Sequence, residues 1–271
     1  MKYSNEDLIN VQKTELIILK EIIRICEKYN ISYFTVGGTT LGAVRHNGFI
    51  PWDDDIDIGM MRDDYDRFIS LAQVELREGF SFCHFSTEYN TPPYFAKVRK
   101  DGTLFVEAGT EKIKMNHGIF VDIMPYDKIP TKEVDRKKYR KKVKIWNQLY
   151  IAKSLKSADY SLTKYKKLYT LIRTLLHFLL LPVPKVYLYK KLDKTLKMFN
   201  DTNSNMVSSR GLKVFECEIS DLIPPKPHLF ENMEVLLPHN SDKVLRTQYG
   251  DYMKLPPEDM RYSHAPVALK L

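Results

Sequence analysis

Two segments place aspartates between apolar residues, and this feature most restricts how the chain can fold. The segment DDDIDIGM holds four aspartates within five positions, and the segment FVDIM holds one more, Asp122. Apolar neighbours on both sides predict that these segments are internal strands. A carboxylate in an internal strand is costly unless it pairs with a cation or binds a metal. The fold must therefore bring positive charge to these side chains.

The spacing of the acids favours a metal site. Side chains alternate between the two faces of a strand, so Asp55 and Asp57 point the same way, about 7 Å apart, while the isoleucines between and after them point into a core. Carboxylate oxygens are the ligands that Mg²⁺ prefers. We predict that Asp55, Asp57 and Asp122 are catalytic residues that bind Mg²⁺ or Mn²⁺.

The residues before this strand allow a simpler interpretation. Asp53 and Asp54 follow Pro51-Trp52, and acidic residues in turns are commonly solvated. We expect these two aspartates to lie in such a turn. Trp52 is typical of a core residue, although its ring could also stack on a base or on a cationic group.

A phosphate-binding turn is predicted just upstream of the acids. The segment ISYFTV is typical of a strand at 31–36, and it runs into Gly37-Gly38. Glycines let backbone N–H groups approach a phosphate closely, and a helix starting at Thr39-Thr40 would add a favourable dipole. Gly37, Gly38 and Thr39 are therefore candidate phosphate-binding residues.

Four basic side chains are further candidates for contact with phosphates. Arg45 and His46 lie just beyond the glycine turn. The alternatives are an ion pair between Arg45 and the aspartates, and a capping role for His46. Lys97 and Arg99 alternate in the segment AKVR and so share one strand face, which points either to the phosphates or to solvent.

The remaining pattern predicts an α+β fold with a mixed sheet flanked by helices. Ser4 and Asp7 form a start signal for a first helix near residues 5–29. A second amphipathic helix is expected at 62–76. Further strands are predicted at 80–85, 94–100, 103–108 and 118–125.

Charge is divided unevenly along the chain. Residues 131–200 hold 19 Lys/Arg and 4 Asp/Glu, a balance of +15, so the other residues sum to −7 within a net charge of +8. We predict a catalytic core at 1–130, a basic helical region at 131–200 and a C-terminal segment at 201–271 that packs back on the core.

The basic region favours a membrane surface over nucleic acid. The segment DRKKYRKKVKIW at 135–146 is strongly basic, and residues 168–183 are apolar, with Lys and Tyr in the flanking sequence. That combination suits peripheral contact with a membrane; a solvated helix face is the alternative. Nothing in the sequence resembles a nucleic-acid-binding motif.

Other features point to a cytoplasmic protein. The N-terminal sequence has no apolar segment typical of a signal peptide. The longest apolar run, 175–184, is about half of the roughly 20 residues needed to span a bilayer. The 3 cysteines are far apart and suggest neither disulfides nor zinc. We expect a cytoplasmic protein, peripherally associated with the inner face of the membrane.

The motifs resemble the nucleotidyltransferase-fold superfamily and, more closely, its LicD family. The superfamily pattern is matched in order by Val36-Gly37-Gly38, by Asp55-Ile56-Asp57-Ile58 and by Val121-Asp122-Ile123. The stretch GTTLGAVRHNGFIPWDDDIDIGM is similar to the LicD signature, and DDYDRF, GIFVDIMPYD, YGDYMKLPP and RYSH are further matches. The resemblance covers most of the chain, with 131–200 its least specific part.

The resemblance implies a divalent-cation-dependent phosphotransferase, with a nucleotidyltransferase-like catalytic core. Members move a phospho-alcohol from a CDP carrier to a sugar hydroxyl. We therefore expect transfer of phosphocholine from CDP-choline to a lipid-linked teichoic acid or lipopolysaccharide precursor, releasing CMP. Fukutin-related proteins, which transfer ribitol phosphate, are distant relatives whose zinc site this chain lacks.

Several roles remain open at this stage. Asp122 could serve as base and ligand together, and His264 in RYSH is a second candidate base. Tyr249 and Tyr252 are candidates for a choline cage. Alternative functions are transfer of ribitol or glycerol phosphate, nucleotidyl transfer to a small acceptor, and a non-catalytic adaptor that binds anionic polymer.

Overall fold

The computed structural model describes residues 3–155 and 166–271. Its helices are α1 (Asn5–Tyr29), α2 (Gly37–His46), α3 (Arg62–Glu75), α4 (Glu133–Ser154), α5 (Lys166–Leu179), α6 (Lys185–Leu196), α7 (Ile219–Leu222) and α8 (Ser241–Tyr249). Its strands are β1 (Phe34–Thr35), β2 (Asp57–Met61), β3 (Phe80–Cys83), β4 (Ala96–Lys100), β5 (Leu104–Val106), β6 (Phe120–Ile129), β7 (Met206–Ser209), β8 (Cys217–Glu218), β9 (Lys226–Phe230), β10 (Met233–Leu237) and β11 (Ala268–Lys270).

Helix α1 begins where its sequence predicts. The Ser4 hydroxyl accepts the backbone N–H of Asp7, and the Asp7 carboxylate accepts the backbone N–H of Ser4, which completes a capping box. The helix ends at Asn30, which adopts a left-handed conformation. Its apolar stripe, including Val11, Ile18 and Ile22, is fully buried against the sheet.

The main sheet is mixed, and β6 lies at its centre. Its strands run in the order β1-β2-β6-β4-β3. Strand β7 pairs with the C-terminal part of β6, and β8 pairs with β7. Only β2 and β6 are parallel in this sheet as far as the described residues show, and the other pairs are antiparallel. Every residue of β6 except Lys128 is buried. An α+β fold with a mixed sheet and flanking helices is therefore confirmed.

The C-terminal residues return to the first part of the chain. Strand β7 pairs with the second half of β6, and β11 pairs with β5. Helix α8 packs against α2. These contacts bring residues more than 200 positions apart into one site, since the backbone N–H of His264 donates to Asp54.

Helices α4, α5 and α6 build a second core beside the sheet. It includes Tyr139 and Val143 of α4, Leu188 and Leu192 of α6, and Leu180 after α5. The helical prediction for 131–200 is correct where the chain is described; positions 156–165 lie outside the described residues.

Several boundaries differ from the predictions, and the strands expected at 80–85, 94–100 and 103–108 are each shorter. Strand β1 is only two residues long, and β6 continues to Ile129 instead of ending at 125. Gly37-Gly38 was expected as a turn before a helix at Thr39, but α2 starts at Gly37 itself, with Val36 as its N-cap. Gly37 has φ +55°, which glycine adopts without strain, so the chain turns into the helix within one residue.

A candidate metal centre between two parallel strands

The parallel pairing of β2 and β6 places two of the predicted acids side by side. Asp57 is opposite Asp122 in the register, and the Asp122 N–H donates to the Ile56 carbonyl at 3.0 Å. Residues in register on parallel strands share a face of the sheet. Ile56 and Ile58 are fully buried, as alternation predicts. Asp55 lies just before β2, close enough to Asp57 for its charge to raise the pKa of that carboxyl.

Helix α2 points its N-terminus at these acids. The Asp57 N–H donates to the Thr39 hydroxyl at 2.8 Å, which fixes the start of β2 to the first turn of α2. A Cβ on Gly38 would lie 2.6 Å from Asp53 Oδ2, so glycine allows that carboxylate to approach the helix. A Cβ on Gly37 would lie 3.9 Å from Asp57 Oδ2. The dipole of α2 therefore favours negative charge here.

The carboxylates nevertheless crowd one another. Burial, followed by the charge of Asp55, raises the pKa of Asp53 to about 7. Burial, then Asp55 and Asp122, raises the pKa of Asp57 well above its ordinary value. Burial also raises the pKa of Asp122 to about 6, although Lys97 opposes this. A cation among these groups would relieve the repulsion.

The residues fit a divalent cation. One oxygen each of Asp53 and Asp55 and one ring nitrogen of His264 lie within 4.8 Å of one another. The Asp54 Oδ2 atom is buried and has no hydrogen-bond partner among the described residues. Oxygen donors in this number suit Mg²⁺ or Mn²⁺, and an imidazole favours Mn²⁺ over Mg²⁺. Asp57 and Asp122 lie alongside this group.

His264 is held against the aspartates by two contacts. Its backbone N–H donates to Asp54 Oδ1 at 2.7 Å, and its Nδ1 lies 3.3 Å from the same oxygen and 3.6 Å from Asp55 Oδ2. The bond to Asp54, followed by the charge of Asp55, raises the pKa of His264 to about 9. Without a metal the ring is therefore protonated at neutral pH, and it is not a base in that state.

Asp53 and Asp54 are not a solvated turn, so that expectation is wrong. Asp54 is 2% exposed, and Asp53 faces the first turn of α2. The Gln12 side-chain amide also donates to the Asp53 carbonyl at 2.8 Å. All four aspartates of the segment DDDID take part in the site, because the C-terminal segment and α1 enclose them.

Lys97 and Arg99 share one face of β4, and that face is buried. Lys97 Nζ lies 3.0 Å from Asp122 Oδ1 and 3.2 Å from Glu107 Oε1. Arg99 is 1% exposed, donates to the Gly118 carbonyl at 2.6 Å and pairs with Glu107. An exposed strand face, the alternative for this pair, is therefore excluded. Lys97 reaches the acid site directly, while Arg99 supports it from behind Glu107.

Arg45 and His46 lie on another side of the site. Arg45 donates to the Tyr252 carbonyl at 2.7 Å and to His46 Nε2 at 2.9 Å. No ion pair between Arg45 and the aspartates occurs among the described residues. Burial, then the like charge of Arg261, lowers the pKa of Arg45. Arg261 in turn lies over the Trp52 ring, 5.2 Å from its centroid. Two guanidinium groups that have no carboxylate partner within residues 3–155 and 166–271 would suit an anion.

The two tyrosines of YGDYM have different environments. The Tyr252 ring is 7% exposed and its hydroxyl donates to Asp242, so it is part of the packing of α8. The Tyr249 hydroxyl lies 3.6 Å from the Cβ position of Gly37. Burial, then Asp53 and Asp57, raises the pKa of Tyr249 to about 12. Tyr249 therefore reaches the cluster of aspartates, and Tyr252 does not.

Two residues of the site escaped the sequence interpretation. Glu15 of α1 is 2% exposed, and burial together with Asp55 and Asp54 raises its pKa well above the ordinary value. Its position on the same stripe as Val11 and Ile18 was a signal that could have been used. Arg210, after β7, is one of the cations that lower the pKa of Asp57, and its Nε atom is buried without a partner among the described residues. No sequence motif marks it.

A cleft of about 480 Å³ opens beside the acids. Its walls include Asp122, Glu107, Phe105 and Phe120, with His264 at one side. Lys97 Nζ lies 3.3 Å from the centroid of the Phe120 ring and so occupies that aromatic face. The cleft is large enough for part of a nucleotide or a sugar and is continuous with the carboxylates.

The fold is α+β, and its acids lie on two adjacent strands beside the N-terminus of a helix. This arrangement suits transfer of a phosphate group. Residues 30–186 match the family described as LicD/FKTN/FKRP, nucleotidyltransferase domain. The chain is also 30% identical to the lipopolysaccharide cholinephosphotransferase LicD of Haemophilus influenzae, over 92% of both chains. The chain therefore belongs to the LicD family of phosphotransferases.

Shorter similarities agree with this membership. An uncharacterised protein of Rickettsia prowazekii is 51% identical over 57 residues, 21% of this chain and 20% of that protein. The ribitol 5-phosphate transferase FKRP of mouse is 40% identical over 54 residues, 20% of this chain and 11% of that protein. The family thus includes transferases of two different phospho-alcohols, and membership by itself does not choose the substrate.

Proposed function

We propose that this protein transfers phosphocholine from CDP-choline to a sugar hydroxyl of a lipopolysaccharide or teichoic acid precursor, releasing CMP. The observation that carries the proposal is the set of mutually repelling carboxylates on β2 and β6 at the N-terminus of α2. The similarity to the Haemophilus enzyme along nearly the whole chain supports choline as the transferred alcohol.

Asp53, Asp55 and His264, with Asp57 and Asp122 beside them, would hold a divalent cation such as Mg²⁺ or Mn²⁺. Bound there, the cation would neutralise charge on the diphosphate. Because its ligands must lose their protons, binding would remove the proton from His264 if that ring is a ligand.

The chain's own residues would position the donor. The N–H groups at the start of α2 face the acids and would donate to phosphate oxygens. Arg210 lies near Asp57, and Arg45 lies near Arg261 on another side, so guanidinium groups would contact the diphosphate from two directions. Thr39 is engaged with the Asp57 N–H and would act by holding that strand in place.

The reaction is an in-line displacement at the phosphorus that carries choline. The sugar oxygen forms a bond to that phosphorus, the bond from phosphorus to the bridging oxygen breaks, and CMP leaves with the bridging oxygen and its electron pair. The hydroxyl proton passes to a carboxylate. We assign this role to Asp122, because its raised pKa of about 6 lies near neutrality, whereas His264 would carry either a proton or the cation.

Two finer aspects of the proposal concern where the protein works. A precursor built on a lipid carrier would be presented at the cytoplasmic face of the membrane, so the enzyme would act as a peripheral protein there. The basic helices α4 and α6 support this placement because anionic headgroups attract lysines.

Product analysis tests the proposal. The protein is incubated with CDP-choline, CDP-ribitol or CDP-glycerol, a divalent cation and the isolated glycan precursor. We expect CMP release and an acceptor mass gain equal to phosphocholine with CDP-choline alone. A mass gain equal to ribitol or glycerol phosphate would instead identify CDP-ribitol or CDP-glycerol as the donor. The similarity to FKRP allows the ribitol outcome. Attachment of a nucleoside monophosphate would instead support nucleotidyl transfer.

A substitution separates catalysis from mere binding. Asp57→Ala should abolish transfer in this assay. Full biological activity of that variant would contradict the enzyme proposal and favour an adaptor that binds anionic polymer through the basic region.

A further inference from the structure

Helix α5 presents its apolar side to solvent. Leu168, Leu171, Ile172, Leu175 and Leu179 are each between 52% and 73% exposed. Their spacing of three and four residues places them on one stripe of the helix. We call these five side chains the leucine stripe. Such a contiguous exposed apolar surface is unusual in a protein that has only water as its neighbour.

The opposite side of α5 is partly polar and faces α4. His177 Nδ1 donates to the Ala152 carbonyl at 2.8 Å, and Arg173 Nε donates to the Leu155 carbonyl at 3.3 Å. Arg173 is 7% exposed, so its long side chain is enclosed while nearby leucines are not. The helix therefore exposes an apolar stripe while Leu176 packs inward, and its inward hydrogen bonds hold it that way.

Exposed cations are frequent on the two helices that flank α5 in the chain. Residues 166–200 contain eight Lys/Arg and a single acid, Asp193. Exposed lysines lie on both neighbouring helices: Lys137, Lys138, Lys141, Lys142 and Lys144 on α4, and Lys190, Lys191 and Lys194 on α6. Lys191 Nζ lies 5.3 Å from the centroid of the Tyr187 ring, which is 48% exposed. Tyrosine rings and lysine side chains are both favoured at the headgroup level of a bilayer.

The leucine stripe calls for an apolar partner whose border is negatively charged. No helix among the described residues is long and apolar enough to cross a membrane. Helix α5 itself has 14 residues, about 21 Å, and one apolar side, which suits lying in the interface plane. A second copy of the chain would bring the same lysines against each other, and this like-charge contact disfavours self-association through α5.

We propose that α5 lies in the surface of an anionic lipid bilayer, with the leucine stripe among the acyl chains and the lysines of α4 and α6 on the headgroup phosphates. This extends the proposed function, from which it takes only the membrane-bound acceptor. Docking requires no donor, cation or turnover, so it is testable even if the proposed reaction is wrong.

Sedimentation with vesicles tests the inference. The full chain is mixed with vesicles of phosphatidylcholine alone or of phosphatidylcholine with phosphatidylglycerol, without nucleotide. We expect the unsubstituted protein to bind the anionic vesicles. The double variant Leu171→Glu/Leu175→Glu should partition into the same vesicles at least about tenfold more weakly. Val74→Glu changes another exposed apolar side chain, 77% exposed on α3, and should bind like the unsubstituted protein.

Further measurements keep each outcome decisive. Near-ultraviolet circular dichroism checks that the double variant is folded; if it is not, Lys190→Gln/Lys191→Gln/Lys194→Gln replaces it and should remove the preference for phosphatidylglycerol. Equal binding of folded variants and the unsubstituted protein would overturn the inference, as would no vesicle binding at all. Ultracentrifugation without lipid is a further check. A dimer for the unsubstituted chain and a monomer for the leucine variant would also overturn the inference.

Discussion

The candidate metal centre and helix α5 both depart from the usual pattern of a stable soluble protein, but in opposite ways. At the candidate metal centre, the carboxyl groups of Asp53, Asp57 and Asp122 are crowded together where burial raises their pKa values. On α5, leucines face water while Arg173 is enclosed. The surrounding structure stabilises each arrangement: the α2 N-terminus and Lys97 oppose the acid repulsion, and hydrogen bonds to α4 hold the helix.

The comparison shows that misplaced residues are informative when they form a group. A single exposed leucine or a single buried acid is common in proteins. Several buried acids or several exposed leucines in one place lower the stability of the protein unless a partner is present. The chemistry of the group then indicates what that partner is. Carboxylates indicate a cation, and an apolar stripe bordered by lysines indicates an anionic lipid surface.

The largest expected effect is at Asp57. Asp57→Asn keeps the shape of the side chain and removes its charge, so turnover with CDP-choline should fall about 10³-fold. The same change relieves repulsion, so thermal stability without added cation should stay equal or rise. Asp201→Asn, at an exposed acid, serves as the control and should alter neither quantity. A loss of activity explained by unfolding would contradict the assignment.

A buried acid that has partners should behave differently from the acids of the centre. Asp127 of β6 is fully buried, pairs with Arg62 at 2.6 Å and accepts from the Asn200 amide at 2.8 Å. Asp127→Ala would leave the Arg62 charge buried without its partner, lowering the free energy of unfolding by about 3 kcal/mol or more. Urea denaturation measures this, with Asp135→Ala on exposed α4 surface as the control. A decrease in the free energy of unfolding of less than about 1 kcal/mol for Asp127→Ala would contradict the expected difference between Asp127 and the acids of the site.

A moderate effect is expected at Arg210. Arg210→Gln should raise KM for the CDP donor about tenfold and leave KM for the glycan acceptor unchanged, because a charged hydrogen bond to phosphate is lost. Lys213→Gln removes an exposed positive charge three residues away and controls for the general field. Equal KM values for Arg210→Gln and the unsubstituted enzyme would remove Arg210 from the donor site.

The smallest effect concerns pH. The folded pKa values of Asp53, about 7, and Asp122, about 6, lie above the ordinary value of 3.8, so the folded state holds protons that the unfolded state has lost. Without divalent cation, the contribution of these two groups to stability is therefore full below about pH 4 and is lost as pH rises through 6 to 7. We expect the Tm of the cation-free protein to fall by about 5 °C between pH 5 and 8.

Two comparisons sharpen the pH experiment. Added Mg²⁺ or Mn²⁺ should restore Tm more at pH 8 than at pH 5, because protons compete with the cation for the same oxygens. Asp57→Asn should flatten the dependence on pH. A Tm of the cation-free protein that rises from pH 5 to 8 would show that other groups dominate.

Local sequence signals predicted much of the fold. The capping box at Ser4 and the apolar stripe of α1 gave that helix its correct limits, and alternation around Ile56 gave the correct buried face of β2. These predictions succeeded because the responsible contacts are local. The start of α2 was placed two residues too late, because a glycine with positive φ was expected in a loop and instead begins the helix.

The site was only partly predictable for the opposite reason. Asp57 and Asp122 were identifiable because each is an acid within an apolar strand. Arg210 and the burial of Asp54 were not, since they depend on which distant segment packs over β2. The phosphate role of Lys97 and Arg99 stays a prediction, although the structure shows that both side chains already neutralise carboxylates.

The contact between His264 and Asp54 spans 210 positions. During synthesis on the ribosome, Asp53, Asp54, Asp55 and Asp57 emerge long before the segment that covers them. Until that segment arrives, the nascent chain lacks His264, so the group of Asp53, Asp55 and His264 cannot form. Under the proposed function, cation affinity would thus report that the last part of the chain has folded into place.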